Sequence, residues 1–151
     1  MKPQAVFIPV LATLCACSSL TIKNVDYGWP VESVLPVGSD DRVEDRRYSI
    51  TFDARELAVA EFQDSLALKG STLRLLRSAE GFYFITGRNF KHVYVFEQGS
   101  HELSLMRQIQ VSQTPLKAPA LNQRPPHVEL IDGAGLRLLL TSGGIFEEEK
   151  K

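Results

Sequence analysis

The sequence predicts a mainly β domain, a small antiparallel meander closing into a barrel or a sandwich, with one short helix possible. Three observations carry that expectation. Apolar and polar residues alternate with a period of two from Tyr48, four β-type runs crowd between Thr72 and Val111, and only short, turn-rich segments separate them. A parallel neighbour needs a crossover of a dozen or more residues, so this spacing dictates antiparallel pairing.

The first residues stand apart from that domain. Lys2 and the terminal amine precede an apolar run, Ala5-Val6-Phe7-Ile8-Pro9-Val10-Leu11-Ala12-Thr13-Leu14, which ends in small residues. The run has the build of a secretory signal peptide and falls short of the roughly 20 residues a spanning helix needs. Leu14-Cys15-Ala16-Cys17 resembles the lipobox of bacterial lipoproteins, with an apolar residue at −3, a small one at −1 and Cys17 in the acceptor place. Cys15 does not fit that place, because Leu14 is too large for the position before the cut.

The resemblance implies removal of residues 1–16, a thioether-linked diacylglycerol on Cys17 and further acylation of the new amine. Two or more chains anchor stably where one binds marginally. It also implies a sorting role for Ser18: an Asp there tends to retain lipoproteins in the inner membrane, so Ser18 favours the outer membrane of a two-membrane source. With Cys15 removed and Cys17 acylated, neither of the two cysteines is left for a disulfide, and the core alone must stabilise the domain. About 135 mature residues suffice for that.

Residues 17–47 read as the lipidated N-terminus and a tether, rich in Pro, Gly and mixed charge, including Asp40-Asp41-Arg42-Val43-Glu44-Asp45-Arg46-Arg47. Within it, Tyr27-Gly28-Trp29-Pro30 holds the one Trp. Trp29 either plugs an end of the core or, with Tyr27, serves as an exposed partner or ligand contact. The domain proper is expected over 48–142, with a charged tail over 143–151.

Tyr48, Ile50, Phe52 and Ala54 alternate with Ser49, Thr51 and Asp53 as a half-buried strand. Asp53-Ala54-Arg55-Glu56 has capping-box spacing, and Ala54, Leu57, Ala58 and Phe62 share one helical face, so a short helix is expected over 54–63, with a strand as the alternative. Thr72 to Arg77, Phe82 to Thr86, Val93 to Glu97 and Glu102 to Val111 are the four β runs. Phe82-Tyr83-Phe84-Ile85 and Val93-Tyr94-Val95-Phe96 are apolar on both faces and should be covered on both. In the last run Leu103, Leu105, Ile109 and Val111 are expected to share one face with Arg107, leaving the other wet.

Residues 81–99, from Gly81-Phe82-Tyr83 to Glu97-Gln98-Gly99, resemble one blade unit of NHL-type β-propellers. They depart from it at Thr86, where an Asp is favoured, and by one extra residue between Asn89 and Val93. A propeller needs about four blades, and no second copy occurs, so the resemblance implies a hairpin. Thr114 to Pro126 carries Pro115, Pro119, Pro125 and Pro126 and reads as an extended connector. Val128 to Asp132 and Leu136 to Thr141 flank Gly133-Ala134-Gly135 as a terminal hairpin.

Chemistry-bearing patterns are sparse. The formal charge of −1 and the dispersed basic residues give no electrostatic reason to expect nucleic acid, and Arg74, Arg77, Arg88 and Lys91 read as solvated strand faces. His92, His101 and His127 are scattered, and His101-Glu102 lacks the second His of a zincin helix, so no metal or other cofactor is expected. No Gly-x-Ser-x-Gly elbow or phosphate loop occurs, and no catalytic residue is assigned. The carboxylates of Glu129 and Asp132 are the kind of pair a glycosidase uses, though any chain with 18 acidic residues contains such pairs.

The expectation is therefore a non-catalytic envelope lipoprotein, anchored to the membrane and acting on an envelope protein partner as an accessory or assembly subunit. The alternatives are a small-ligand or glycan binder using Tyr83, Tyr94, Phe90 and Trp29, and a small envelope hydrolase. The first alternative requires those rings to line a cleft; the second requires paired acids or a His–carboxylate pair in a pocket.

Overall fold

The computed structural model describes residues 31–100, 102–133 and 135–147. The expected signal peptide over 1–16 and the residues Cys17, Ser18, Tyr27, Trp29 and His101 lie outside them. The fold is mainly β, antiparallel throughout, with one short helix, and its sheets pack over a common core in the manner of a sandwich.

In chain order the elements are β1 (Ser33–Pro36), β2 (Arg42–Asp45), β3 (Ile50–Asp53), α1 (Arg55–Phe62), β4 (Thr72–Arg77), β5 (Tyr83–Gly87) and β6 (His92–Gln98), followed by β7 (Leu103–Gln110), β8 (Ala120–Arg124), β9 (His127–Ile131), β10 (Arg137–Thr141) and β11 (Gly144–Phe146). They form a five-stranded sheet ordered β1-β4-β5-β6-β7, a four-stranded sheet ordered β11-β10-β9-β8, and the β2-β3 ribbon.

The four central runs are strands within a residue of the expected bounds, and β5 is buried along its whole length, as residues apolar on both faces require. The blade-like segment over 81–99 is the β5–β6 hairpin. Its turn places Asn89 at a φ of 70°, a conformation Asn tolerates. Phe90 packs back on Gly87, where an added Cβ would lie 3.0 Å from the ring.

The helix expected over 54–63 forms as α1, with Ala54, Leu57 and Ala58 buried and Phe62 packed against the core. The capping box forms only in part. Ala54 occupies the cap position with no side-chain bond, while Asp53 Oδ1 accepts the Arg55 N–H at 2.9 Å and its carboxylate pairs with the Arg55 guanidinium. Those bonds to Arg55 hold the Asp53 carboxyl at about 2, below the usual carboxylate range. Gln63, at a φ of 59°, ends the helix by donating its N–H to the Val59 carbonyl.

Three segments expected to be irregular contribute strands. Within 17–47, β1 pairs with β4 and β2 with β3, so the fold includes chain well before Tyr48. These strands are four residues long and flanked by Pro, Gly and charge, which hides the buried alternation of Ser33 and Leu35 and of Val43 and Asp45. The Pro-rich connector contains β8, because its prolines fall just before the strand and in the turn after it, leaving Ala120–Arg124 with every N–H available. The expected tail over 143–151 begins with β11, which pairs with β10.

β7 also departs from expectation. Val95 pairs with Arg107 but Phe96 with Leu105, so Met106 is an extra residue in a β-bulge. The bulge reverses the alternation. Leu103 and Leu105 stand on the face of Tyr94 and Phe96, whereas Arg107, Ile109 and Val111 stand on that of Val93 and Val95, not on one shared face.

Phe84 is 1% exposed and Val95 is fully buried in the centre of the larger sheet. Phe84→Ala should destabilise by about 3–5 kcal/mol and Val95→Ala by roughly 2 kcal/mol in urea unfolding. Unchanged midpoints for both variants would contradict this core.

Candidate functional site

The strongest concentration of polar chemistry lies where α1 meets the start of β6. Glu61 belongs to the last turn of α1, which holds no basic residue. A carboxylate there faces the negative end of the helix dipole. Its side chain is only 2% exposed, so it must be satisfied by the protein. Oε1 accepts the Lys91 N–H at 2.6 Å, and Oε2 accepts the Tyr94 hydroxyl at 2.9 Å. His92 Nδ1 lies 2.9 Å from the same Oε2, a contact in which the carboxylate accepts from the ring.

His92 and Tyr94 alternate on one face of β6, which is why both reach the same carboxylate. Across the strand pair, Gln108 of β7 donates from Nε2 to the Tyr94 hydroxyl at 3.3 Å. The phenol is pushed above its ordinary range, first by burial and then by its bond to Glu61. Phe90 and Phe62 complete the surround edge to face, with ring centroids 6.1 Å and 5.4 Å apart along Tyr94–Phe90–Phe62.

Beside this node runs a groove between the β3–α1 limb and the face of β5, β6 and β7. An apolar part of about 190 Å³ is lined by Phe52, Leu57, Ile85, Tyr94, Phe96, Leu103 and Leu105, with Asp53, Glu56 and Ala60 at its wall. Phe52 and Leu103 also line a second, more polar cavity of about 500 Å³ that extends between β3 and the β6–β7 turn, past Tyr48, Gln98 and Glu102. Among the described residues β7 ends its sheet and pairs only with β6. The groove is therefore the seam where the five-stranded sheet and the β2-β3 ribbon face each other without joining.

Of the aromatic residues singled out from the sequence, Tyr83, Phe90 and Tyr94 are core residues. Tyr83 donates its hydroxyl to Gln98 Oε1 at 3.0 Å and packs edge-on against Tyr48, and Phe90 and Tyr94 are fully buried. Glu129 and Asp132 are both buried and separately engaged. Arg124 Nε and Arg137 Nε bracket Glu129 at 3.3 Å and 3.2 Å, and Asp132 Oδ1 accepts the Lys117 and Ala118 N–H groups at 3.0 Å and 2.7 Å. Arg74 pairs with Glu32 at 3.3 Å, and Arg77 lies over the Tyr83 ring.

Sequence reasoning overlooked Glu61, Gln108 and the groove residues Phe52 and Glu56. One signal was available for Glu61: an acid in the last turn of a short helix, where cations are favoured. Among the described residues no group of three or more His, Cys, Asp or Glu is placed to hold a metal ion. No helix among them is long and apolar enough to cross a membrane. No known family, no curated protein and no solved structure matches the chain.

The node can position groups, but its carboxylate is already taken by three donors, and among the described residues the one side chain hydrogen-bonded to the His92 ring is Glu61, while the Thr86 hydroxyl donates to the His92 carbonyl. Its plain consequence is structural and titratable. Because folded Tyr94 holds its proton above the ordinary tyrosine range, the linked stability is intact below the unfolded pKa of about 10 and is lost as pH rises above it. Tyr94→Phe should flatten that alkaline decline in thermal melts above about pH 10. Glu61→Ala, which strands buried donors, should cost about 1–3 kcal/mol at neutral pH; equal alkaline slopes in wild type and Tyr94→Phe would contradict the placement of the phenol.

Proposed function

We propose that the chain is a membrane-anchored envelope lipoprotein whose β domain is a non-catalytic accessory or assembly subunit, acting through protein contacts. Cys17 carries the lipid, Ser18 directs the protein to the periplasmic face of the outer membrane where the source has two membranes, and Tyr27 and Trp29 lie in the adjoining tether as partner contacts. The lipobox residues Leu14-Cys15-Ala16-Cys17 support the anchor.

The observation that favours a scaffold over a ligand binder is the burial of the rings. Tyr83, Tyr94 and Phe90 are all buried in the core, and of the three only Tyr94 borders the groove. The cavity beside them is a seam between strands, a form suited to a protein segment. The carboxylates that a glycosidase would deploy are bound to arginines and backbone N–H groups.

Cys17→Ala should abolish fatty-acid labelling and yield a soluble or uncleaved chain; a mutant still acylated and fully membrane-bound would refute the anchor. Affinity capture of the tagged, lipidated protein from solubilised envelopes should return a stoichiometric membrane partner identified by mass spectrometry. A solitary lipoprotein would instead favour a ligand-binding role.

A further inference from the structure

We propose that the seam between β3–α1 and β7 is the docking site for an extended segment of a partner protein, apolar in its centre and basic at both ends. The inference rests on the accessory-subunit reading and names the surface and the chemistry of what it takes.

Three observations converge on it. First, β7 is eight residues long and among the described residues its outer edge is unpaired within its sheet, so Leu103 to Leu105 can accept a further strand through main-chain hydrogen bonds. Second, the bulge at Met106 turns Leu105 onto the groove face, where it is 53% exposed although Phe52 and Phe96 line the same groove. An apolar side chain in that position is solvated only while nothing covers it. Third, the charge along the seam has one sign. The described lining residues include Glu56 beside the apolar part and Glu102 beside the polar part, with no Lys or Arg. Asp53 is neutralised by Arg55, but among the described residues neither Glu56 nor Glu102 takes part in an ion pair.

Because Phe52 and Leu103 are shared by the two parts, the acids lie to either side of an apolar middle. A strand laid along β7 directs alternate side chains into the groove. The occupant that satisfies floor and walls together has two apolar residues flanked by cations on its inward face. An acidic segment is repelled, and a purely apolar one leaves both carboxylates uncompensated.

The probe is the fluorescently labelled peptide acetyl-Lys-Thr-Val-Thr-Val-Thr-Lys-amide, titrated by anisotropy against the full lipidated chain in a neutral detergent. The comparison peptide carries Glu in place of both Lys. The lysine peptide should bind at least about tenfold tighter, and more weakly as salt is raised. Leu105→Lys, at an exposed position that leaves the melting temperature unchanged, should abolish binding. The double variant Glu56→Lys, Glu102→Lys should reverse the preference.

Equal binding of both peptides, no binding, or binding that survives Leu105→Lys overturns the proposal. So does concentration-dependent self-association in sedimentation that Leu105→Lys removes, since the occupant would then be a second copy of this chain. Acylation and envelope capture are read on the same variants. A Leu105→Lys chain that is acylated and still captures the envelope partner overturns the groove and leaves the accessory-subunit reading standing; loss of acylation in wild type overturns the anchor and leaves the peptide result untouched.

Discussion

The arrangement depends first on one buried carboxylate at the unfavourable end of a helix. Glu61 is shut away from water at the last turn of α1, where the helix dipole opposes its charge. An unsatisfied carboxylate in that position costs several kcal/mol, so α1 is stable only where the Lys91 N–H, the His92 ring and the Tyr94 hydroxyl are all presented together. Those donors belong to the start of β6, and α1 can meet them in one place. Since β3 runs into α1 through the single residue Ala54, docking the helix also positions β3. The strand is held over the sheet face, its pairing capacity on one side used by β2 and the other side turned toward β7 across an open seam.

The same economy of buried acids joins the rest of the molecule. Glu32, just before β1, accepts the Leu121 N–H of β8 at 3.1 Å and pairs with Arg74 of β4, so one carboxylate fastens the two larger sheets at their shared boundary. Burial raises its pKa, and the Leu121 and Arg74 contacts oppose that rise. Those contacts fix where the carboxyl can sit, which makes the junction specific as much as stabilising. Asp132 does for the segment entering β8 what Glu61 does for α1, accepting two successive backbone N–H groups at Lys117 and Ala118. In a chain whose two cysteines leave no expected disulfide, such cross-links between distant segments restrain loops that apolar packing alone does not orient.

What the sequence made legible follows from the range of the signals. β4, β5, β6 and β7 are long, strongly patterned and bounded by turn residues, so local periodicity places them. β1 and β2 show too little repetition in four residues to stand out from a charged, Pro-containing background, and their strand state is decided by partners tens of residues away. The bulge at Met106 leaves no mark in composition, yet it moves Leu105 to one face and Ile109 to the other. The groove was hidden for the same reason, because Phe52, Glu56 and Leu105 come from three elements whose meeting depends on a non-local hydrogen bond. His92 and Tyr94 were visible as residues, but only Glu61, thirty-one positions before His92, makes them a unit.

An edge left open among the described residues invites self-pairing, and the form of β7 answers that hazard. The bulge interrupts the ladder after Leu105, and the exposed Arg107 and Gln110 follow it, so the apolar, regular part of the edge is only a few residues long. A stretch that short gives little affinity through main-chain bonds alone. Recognition there has to draw on the groove, on Phe52 and Phe96 below and on Glu56 and Glu102 beside it, which makes it selective. The proposed anchor sets the other boundary condition. From Cys17 to Val31 is 14 residue steps, an upper reach of about 50 Å for extended chain. A domain confined to that distance from a bilayer meets partners held in the same layer at high effective concentration, so a small and individually weak docking seam is enough to give a lasting complex.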